Sequence, residues 1–365
     1  MLVLGEAGVG KSMLVGAITE TFEYYQSTHL LAKCAATGIA ASDIGAQTLH
    51  SWAGLLIQMP KSRDWIEKGG KTTQLKRSQN IKGKEFIIID EVSMIDKTML
   101  YQTSSIVGYF RAADTPLIPF AGANVIFTGD FHQFPPVANH MGALYCDRPE
   151  NDSPQALLGR EICLQFDTVV ILREQVRVRD PVWMEILRRL REGSCTDEDI
   201  SEVHKLVLTN NNCDVPDFST EPWSGAILIT PRHAVRERWN EAAQAKHCSS
   251  TGNRKYIVHA EDRISKTEEV PLCARVKIAG RDDRGAGNLE EIVEIAVGMK
   301  AMIVMNISTE ANIANGTRGV IKDIILDPRE QATLPNEDGA ICLKYPQGGD
   351  RSLKKDIPLK FFLRP

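Results

Sequence analysis

The sequence has no closely spaced cysteine pair and no long apolar run, and each absence excludes something. Its eight cysteines stand at 34, 146, 163, 195, 213, 248, 273 and 342, and no two are separated by two to four residues. A zinc knuckle needs such spacing, and a disulfide framework belongs to short, cysteine-dense secreted chains, so neither is expected. The greasiest stretch, 295–305, is interrupted by Lys300. It falls well short of the roughly 20 apolar residues that cross a bilayer, and no membrane partner is expected. Aromatics are sparse, no Pro/Gly-rich tract or internal repeat is visible, and the formal charge is only −4. That charge neither suggests nor forbids nucleic acid, because a local groove can be basic on an acidic chain. At 365 residues the chain exceeds the size one core usually serves, so more than one unit is expected.

What is present begins at once. Gly5, Glu6, Ala7, Gly8, Val9, Gly10, Lys11 and Ser12 fit G-x-x-x-x-G-K-[ST] at every fixed position. An apolar stretch, 1–4, runs into this loop and a helix-like stretch, 13–24, runs out. Small residues let several backbone N–H groups converge on one anion, a lysine reaches the β/γ-phosphates, and a hydroxyl holds Mg²⁺. The expected ligand is therefore a nucleoside triphosphate with Mg²⁺. With a strand and a phosphate loop at its start, the sequence is expected to carry no secretory leader and to suit an intracellular, reducing compartment.

Short apolar runs at 1–4, 28–34, 86–90, 124–128 and 168–172 alternate with helical patterns, as in a parallel sheet of βαβ units. The first helix is expected to begin at Ser12, with Leu14, Ala17, Ile18 and Thr21 sharing one side. Residues 52–84 are polar and basic, with Lys61, Arg63, Lys68, Lys71, Lys76, Arg77, Lys82 and Lys84. They read as an excursion from the sheet, either a solvated loop or a contact for a phosphate backbone. The first domain is thus 1–172. A second, 173–255, opens with a helix whose Trp183, Ile186, Leu187 and Leu190 recur at i, i+3, i+4 and i+7; Gly193 ends it, and Thr196 starts the next. A strand at 226–230 and an amphipathic stretch at 234–245 follow. From 256 to 365 short extended runs at 276–278, 291–297, 301–305, 318–325 and 340–345 suggest a small, mostly β module.

Two elements supply partners for the loop. Phe86-Ile-Ile-Ile-Asp90-Glu91 reads as a buried strand ending in two acids: Asp90 is assigned to Mg²⁺ and Glu91 to the general base that deprotonates the attacking water. Val125-Ile-Phe-Thr128-Gly129-Asp130-Phe131-His132-Gln133-Phe134-Pro135-Pro136 runs a strand into a stiff loop. Gln133 can hydrogen-bond a γ-phosphate or the lytic water. Phe131 and Phe134 can pack in the core or stack on bases.

Together with Ala36-Thr37-Gly38, Thr48-Leu49-His50-Ser51, Gln175-Val176-Arg177 and Asn315-Gly316-Thr317-Arg318-Gly319, these segments resemble the ordered helicase motifs of PIF-type DNA helicases. This superfamily-one branch also contains the RecD-like enzymes. The resemblance runs from the first residue to about 325. It implies a P-loop NTPase of the α/β class with RecA-like parallel sheets, the second RecA-like domain incomplete and carrying a small SH3-like β insertion. It narrows the nucleotide to ATP and implies ATP-dependent 5′-to-3′ translocation on single-stranded DNA, with 5′-tailed duplex as a further substrate and a monomer acting in the nucleus or mitochondrion. Lys11, Glu91 and Gln133 are then catalytic. Arg177 reaches in from the second domain to the γ-phosphate, while Thr37, Thr48, His50, Thr317 and Arg318 contact DNA. Only four residues precede Gly5, where the family carries an adenine-reading glutamine, and the family's Ser-Gln-Gly segment and second catalytic arginine are missing at the other end. Truncation at both ends, with weak activity, is therefore expected. Two alternatives stay open: an impaired remnant that binds nucleotide and single-stranded DNA, and a P-loop ATPase acting on something other than nucleic acid. Repair, recombination, telomere maintenance and transposition are not separated by the residues.

Overall fold

The computed structural model describes residues 1–55, 66, 70–111, 118–137, 139–259, 292–304, 313, 315–326, 330, 334–336 and 339–343. Lys61, Arg63, Lys68 and the run 276–278 lie outside them. The chain divides into two compact units, Met1–Val215 with Ile303–Thr317, and Pro216–Met302 with Arg318–Pro365.

The first unit is built on a six-stranded, all-parallel sheet. Its strands are β1 (Leu2–Leu4), β2 (Leu31–Ala35), β3 (Gln47–Thr48), β4 (Phe86–Asp90), β5 (Asn124–Gly129) and β6 (Val169–Ile171), in the order β3-β2-β4-β5-β1-β6. Helices α1 (Lys11–Tyr24), α2 (Gly38–Asp43), α3 (Leu49–Ala53), α4 (Lys71–Ile81), α5 (Lys97–Arg111) and α6 (Pro154–Cys163) connect them. This is the RecA-like P-loop fold. Strand β4 shows why both faces must be covered, since alternate residues point to opposite sides. Ile87 and Ile89 join Leu49, Trp52, Ile81, Leu100, Ile106 and Phe127 on one side, while Ile88 joins Val15, Leu31 and Ile44 on the other. All three isoleucines are fully buried, each stabilising by about 1.5–3 kcal/mol.

Helix α1 packs through Val15, Ile18 and Phe22, whereas Ala17 and Thr21 are exposed. Several expectations are corrected. The basic excursion is not all solvated. Arg77, 1% exposed on α4, donates to the carbonyls of Ala53 (3.2 Å) and Gly54 (2.7 Å). It thereby satisfies the orphan acceptors where α3 ends. At the start of α5, Lys97 is fully buried and pairs with Asp152 at 2.7 Å.

Residues 173–215 also belong to the first compact unit, whereas the sequence reading expects a domain boundary at 172. The cause is pairing: β6 lies beside β1, and the chain after it stays bonded to the phosphate loop. Helix α7 (Pro181–Glu192) ends at Gly193 in the left-handed conformation, and Thr196 caps α8 (Asp197–His204) in a capping box with Asp199, both as expected. The apolar face of α7 is used in part: Ile186 is buried and Trp183 and Leu187 are half-buried, but Leu190 is 62% exposed. Ion pairs hold its polar side, including a fork from Arg189 to Asp199 at 2.6 Å.

In the second unit α9 (His233–Thr251) precedes a three-stranded sheet of β7 (Lys255–His259), β8 (Ile292–Ala296) and β11 (Ile341–Cys342), ordered β11-β7-β8. Strands β9 (Lys300–Met302) and β10 (Arg318–Val320) form a separate antiparallel pair. Strand β8 is antiparallel to β7 and β11 parallel, so among the described residues this sheet is mixed rather than all parallel. The run 226–230 forms no strand, and Ile229 is 92% exposed. An apolar run becomes a strand only when a neighbouring edge satisfies its backbone.

Candidate nucleotide site

Parallel pairing brings the sequence motifs to one edge. Leu4 at the end of β1 is in register with Gly129 at the end of β5, and the N–H of Gly5 donates to the Gly129 carbonyl at 3.2 Å. Strand β4, ending at Asp90, lies on the other side of β5. Open α/β sheets bind ligands beyond such carboxyl ends. In the phosphate loop Gly8 and Gly10 have φ of 94° and 90°, which side chains rarely adopt. A Cβ on Gly8 would lie 2.2 Å from Gln175 Oε1, whereas one on Gly10 would meet nothing within 4 Å. The loop is thus packed at Gly8 and open at Gly10, where the free N–H groups of the first turn of α1 emerge without a side-chain cap. The Lys11 ammonium donates to the carbonyls of Gly5 (2.8 Å) and Glu6 (2.9 Å). Ser12 is exposed, and its hydroxyl has no partner among the described residues. An anion with a bound cation fits this arrangement: open space, free N–H donors, a mobile ammonium and an unused hydroxyl.

The acids stand nearby. Asp90, 7% exposed, accepts a hydrogen bond from Thr128. Glu91 has φ 57°, a left-handed conformation that costs a non-glycine residue about 1–3 kcal/mol and is found mainly at functional sites. Burial and then the charge of Asp90 push its carboxyl above the usual range, while Lys11 opposes them. A carboxyl raised in this way is suited to take a proton.

Asp130 is 3% exposed and held in a fork by Arg191, at 2.6 and 2.7 Å. Burial alone would raise its carboxyl, but the Arg191 hydrogen bonds, the His132 N–H and the charges of Arg191 and Lys11 bring it below the usual range. The loop turns through a bond from the Gln133 N–H to the Asp130 carbonyl at 3.0 Å. Gln133 is half-buried, and its side chain has no hydrogen-bond partner among the described residues. The two aromatics part ways: Phe131 packs on the core and edge-on to Tyr145, whereas Phe134 is 80% exposed.

Arg177 was expected from a second domain; it lies in the same unit as the phosphate loop. The Val176 N–H donates to the Gly8 carbonyl at 3.0 Å, and the Gln175 amide bridges Glu6 and Ala7 to the backbone of Arg177. The Arg177 side chain is exposed and without a partner among the described residues. Sequence reasoning overlooked what Gln175 and Arg191 do. Arg191 is one of several arginines on α7, and no spacing rule distinguishes the one that meets a carboxylate sixty-one residues away.

Of the expected DNA contacts, Thr37 caps α2 by accepting from the Ala40 N–H, and Thr48 caps α3 by accepting from the Ser51 N–H. Register places Thr48 opposite Ala35, two residues before Thr37, so both occupy one edge of the sheet. Thr48 is only 8% exposed, which makes it a buried cap rather than an open contact. His50 is exposed and lines a shallow cavity of about 250 Å³ with Lys76 and Thr73. Gly316 packs on Ile39 of α2, and the Thr317 carbonyl accepts from the Ile303 N–H, in the first unit. Arg318 opens β10 in the second. Among the described residues no His/Cys/Asp/Glu cluster has metal-site geometry, and no helix is long and apolar enough to cross a membrane.

Residues 1–145 match the family model described as PIF1-like helicase. The chain is 26% identical over 320 residues to the ATP-dependent DNA helicase RRM3 of Saccharomyces cerevisiae, covering 87% of this chain and 39% of that protein. It is 28% identical over 339 residues to the ATP-dependent DNA helicase PIF1 of the same species, covering 89% of this chain and 34% of that protein. The chain therefore spans between a third and two-fifths of these curated relatives. Among solved structures, Pif1 helicase from Candida albicans superposes with a TM-score of 0.58 at 22% identity, over 90% of this chain and 66% of that one. Bacteroides Pif1 bound to single-stranded DNA gives 0.56 at 21% identity, over 89% and 66%. The ordered motifs, their assembly at one sheet edge and these matches agree: the chain is similar to PIF1-like helicases, and its residues 1–145 match their family model.

Proposed function

We propose that the chain is the ATP-hydrolysing core of a DNA helicase, moving 5′ to 3′ on single-stranded DNA and acting on 5′-tailed duplexes as a monomer. The observation that carries this reading is the meeting of the phosphate loop, the Asp90-Glu91 strand end and the Gln133 loop at one carboxyl edge, each in chain order. The N–H groups at Gly8, Gly10 and Lys11 hold phosphate, with Glu6, Ala7 and Val9 shaping the loop between them. Lys11 exchanges its bonds to the Gly5 and Glu6 carbonyls for phosphate oxygens. Ser12 and Asp90 would hold magnesium, which when bound neutralises charge between the phosphates. Glu91 accepts the proton of the attacking water, Gln133 orients that water, and Arg177 stabilises charge on the transferring group.

The DNA reading draws on the relatives. RRM3 and PIF1 of S. cerevisiae are ATP-dependent DNA helicases, and Bacteroides Pif1 has been solved with single-stranded DNA and with ADP-AlF3. Thr37, His50, Thr317 and the exposed Phe134 are the proposed contacts of the first unit, with Thr48 capping α3 beside Thr37, and Arg318 is a proposed contact of the second unit. Nucleus, or mitochondrion, is where such a substrate would be met.

The test is steady-state ATP hydrolysis with and without a single-stranded oligonucleotide, alongside oligonucleotide anisotropy over a salt series. Stimulation by DNA, and a log–log salt slope near −0.7 per phosphate contacted, are expected. Glu91→Gln should keep ATP binding while hydrolysis falls by roughly 10²–10⁴. Hydrolysis indifferent to DNA, with no oligonucleotide binding at low salt, would leave an ATPase of another kind.

A further inference from the structure

We propose that Gln175 is a positioning residue for the nucleotide site, joining the outer side of the phosphate loop and the backbone of Arg177 into one hydrogen-bonded unit. The inference rests on the nucleotide reading above and adds to it a residue that ties loop shape to the arginine.

The geometry is a four-bond junction around one primary amide. Gln175 Nε2 donates to Glu6 Oε1 at 3.1 Å and to the Ala7 carbonyl at 2.9 Å. Its Oε1 accepts from the N–H groups of Arg177 at 3.0 Å and Val178 at 3.4 Å. The neighbouring Val176 N–H donates to the Gly8 carbonyl at 3.0 Å, so the strand-like contact of β6 with β1 continues along the loop. At Gly8 a Cβ would lie 2.2 Å from Gln175 Oε1 and 2.7 Å from Arg177 Cβ, so the two segments are in close contact. Two donors and an acceptor at the end of one three-carbon arm are found only in glutamine; a carboxylate cannot donate and a thioether does neither usefully. Glu6 is gripped from both sides, its carbonyl by Lys11 and its carboxylate by Gln175. Farther along, Arg191 fixes α7 to Asp130, so the segment carrying Arg177 is anchored at both ends. A misplacement of about 1 Å at such a junction is enough to cost on the order of 10²-fold in a reacting geometry.

The experiment measures equilibrium affinity of the whole chain for ATPγS and for ADP, each with Mg²⁺, and so does not depend on turnover. Gln175→Glu keeps the acceptor toward Arg177 and Val178 but sets a carboxylate against Glu6 and the Ala7 carbonyl. ATPγS affinity should fall about tenfold more than ADP affinity, because only the triphosphate reaches Arg177. Adding Glu6→Gln returns a donor to the pair and should recover most of that difference relative to Glu6→Gln alone. Gln175→Met should show the same loss with no recovery from Glu6→Gln, which separates the hydrogen bond from simple packing. Equal losses for both nucleotides, no loss, or recovery in the Gln175→Met background as well would each overturn the proposal. An unaltered chain that binds neither nucleotide would overturn the nucleotide reading too, whereas binding that ignores Gln175→Glu would overturn this inference alone.

Discussion

Removing Arg191 should destabilise the first unit through the carboxylate it leaves behind. Asp130 is 3% exposed, and both its oxygens are engaged by Arg191, at 2.6 and 2.7 Å. Breaking a fully buried pair costs about 3–5 kcal/mol, because the surviving charge has lost its water and its partner. Arg191 is 29% exposed, so solvent reaches one side of the pair and the expected cost of Arg191→Ala falls to about 2–3 kcal/mol. For a unit of this size that is roughly 4–12 °C in Tm. Asp130→Asn should cost about 1 kcal/mol, since it strands only a guanidinium that can turn to water, and Arg191→Ala should add little on top of it. The pH dependence has a definite sign. Asp130 is held below the usual carboxylate range, so its pairing stabilises the fold above about pH 4, and that contribution is lost as pH falls through the lowered value. Urea unfolding of the four proteins at pH 7 and at pH 4 is the assay. An Arg191→Ala cost under about 0.5 kcal/mol at pH 7, or a double variant as unstable as the two single costs summed, would refute the reasoning.

Three further outcomes are expected. Lys11→Ala should abolish measurable ATP binding by isothermal titration with Mg²⁺ present, as the mobile ammonium over the Gly5 and Glu6 carbonyls is lost; equal affinity would remove the phosphate-loop assignment. Gly159→Ala should lower stability by about 1–3 kcal/mol in thermal unfolding, because its Cβ would lie 1.8 Å from the Lys97 carbonyl oxygen and force α6 off α5. Thr48→Ala should cost about 1 kcal/mol through the lost α3 cap, and Thr48→Ser should restore it; a Thr48→Ser protein as weak as Thr48→Ala would argue for methyl packing instead.

The elements legible in the sequence were those whose signal is local. The glycine spacing of the phosphate loop, the apolar run closing on Asp90-Glu91, Gly193 ending α7 and Thr196 opening α8 are each set by a few adjacent residues, and each appears where it was expected. What the tertiary structure decided depends on distant partners. The two-residue strand β3 exists only because β2 offers it an edge, and the run 226–230 forms no strand despite its apolar side chains. Arg77 reads as one more surface cation until α3 presents its unsatisfied carbonyls. The family resemblance implies that Arg177 reaches in from a second domain. Hydrogen bonds from β6 and Gln175 keep it beside Gly8 instead. Sequence alone determines which chemistry-bearing residues are available and which local turns hold them; which of them meet is settled by parallel strand register and by charges seeking partners across tens of residues.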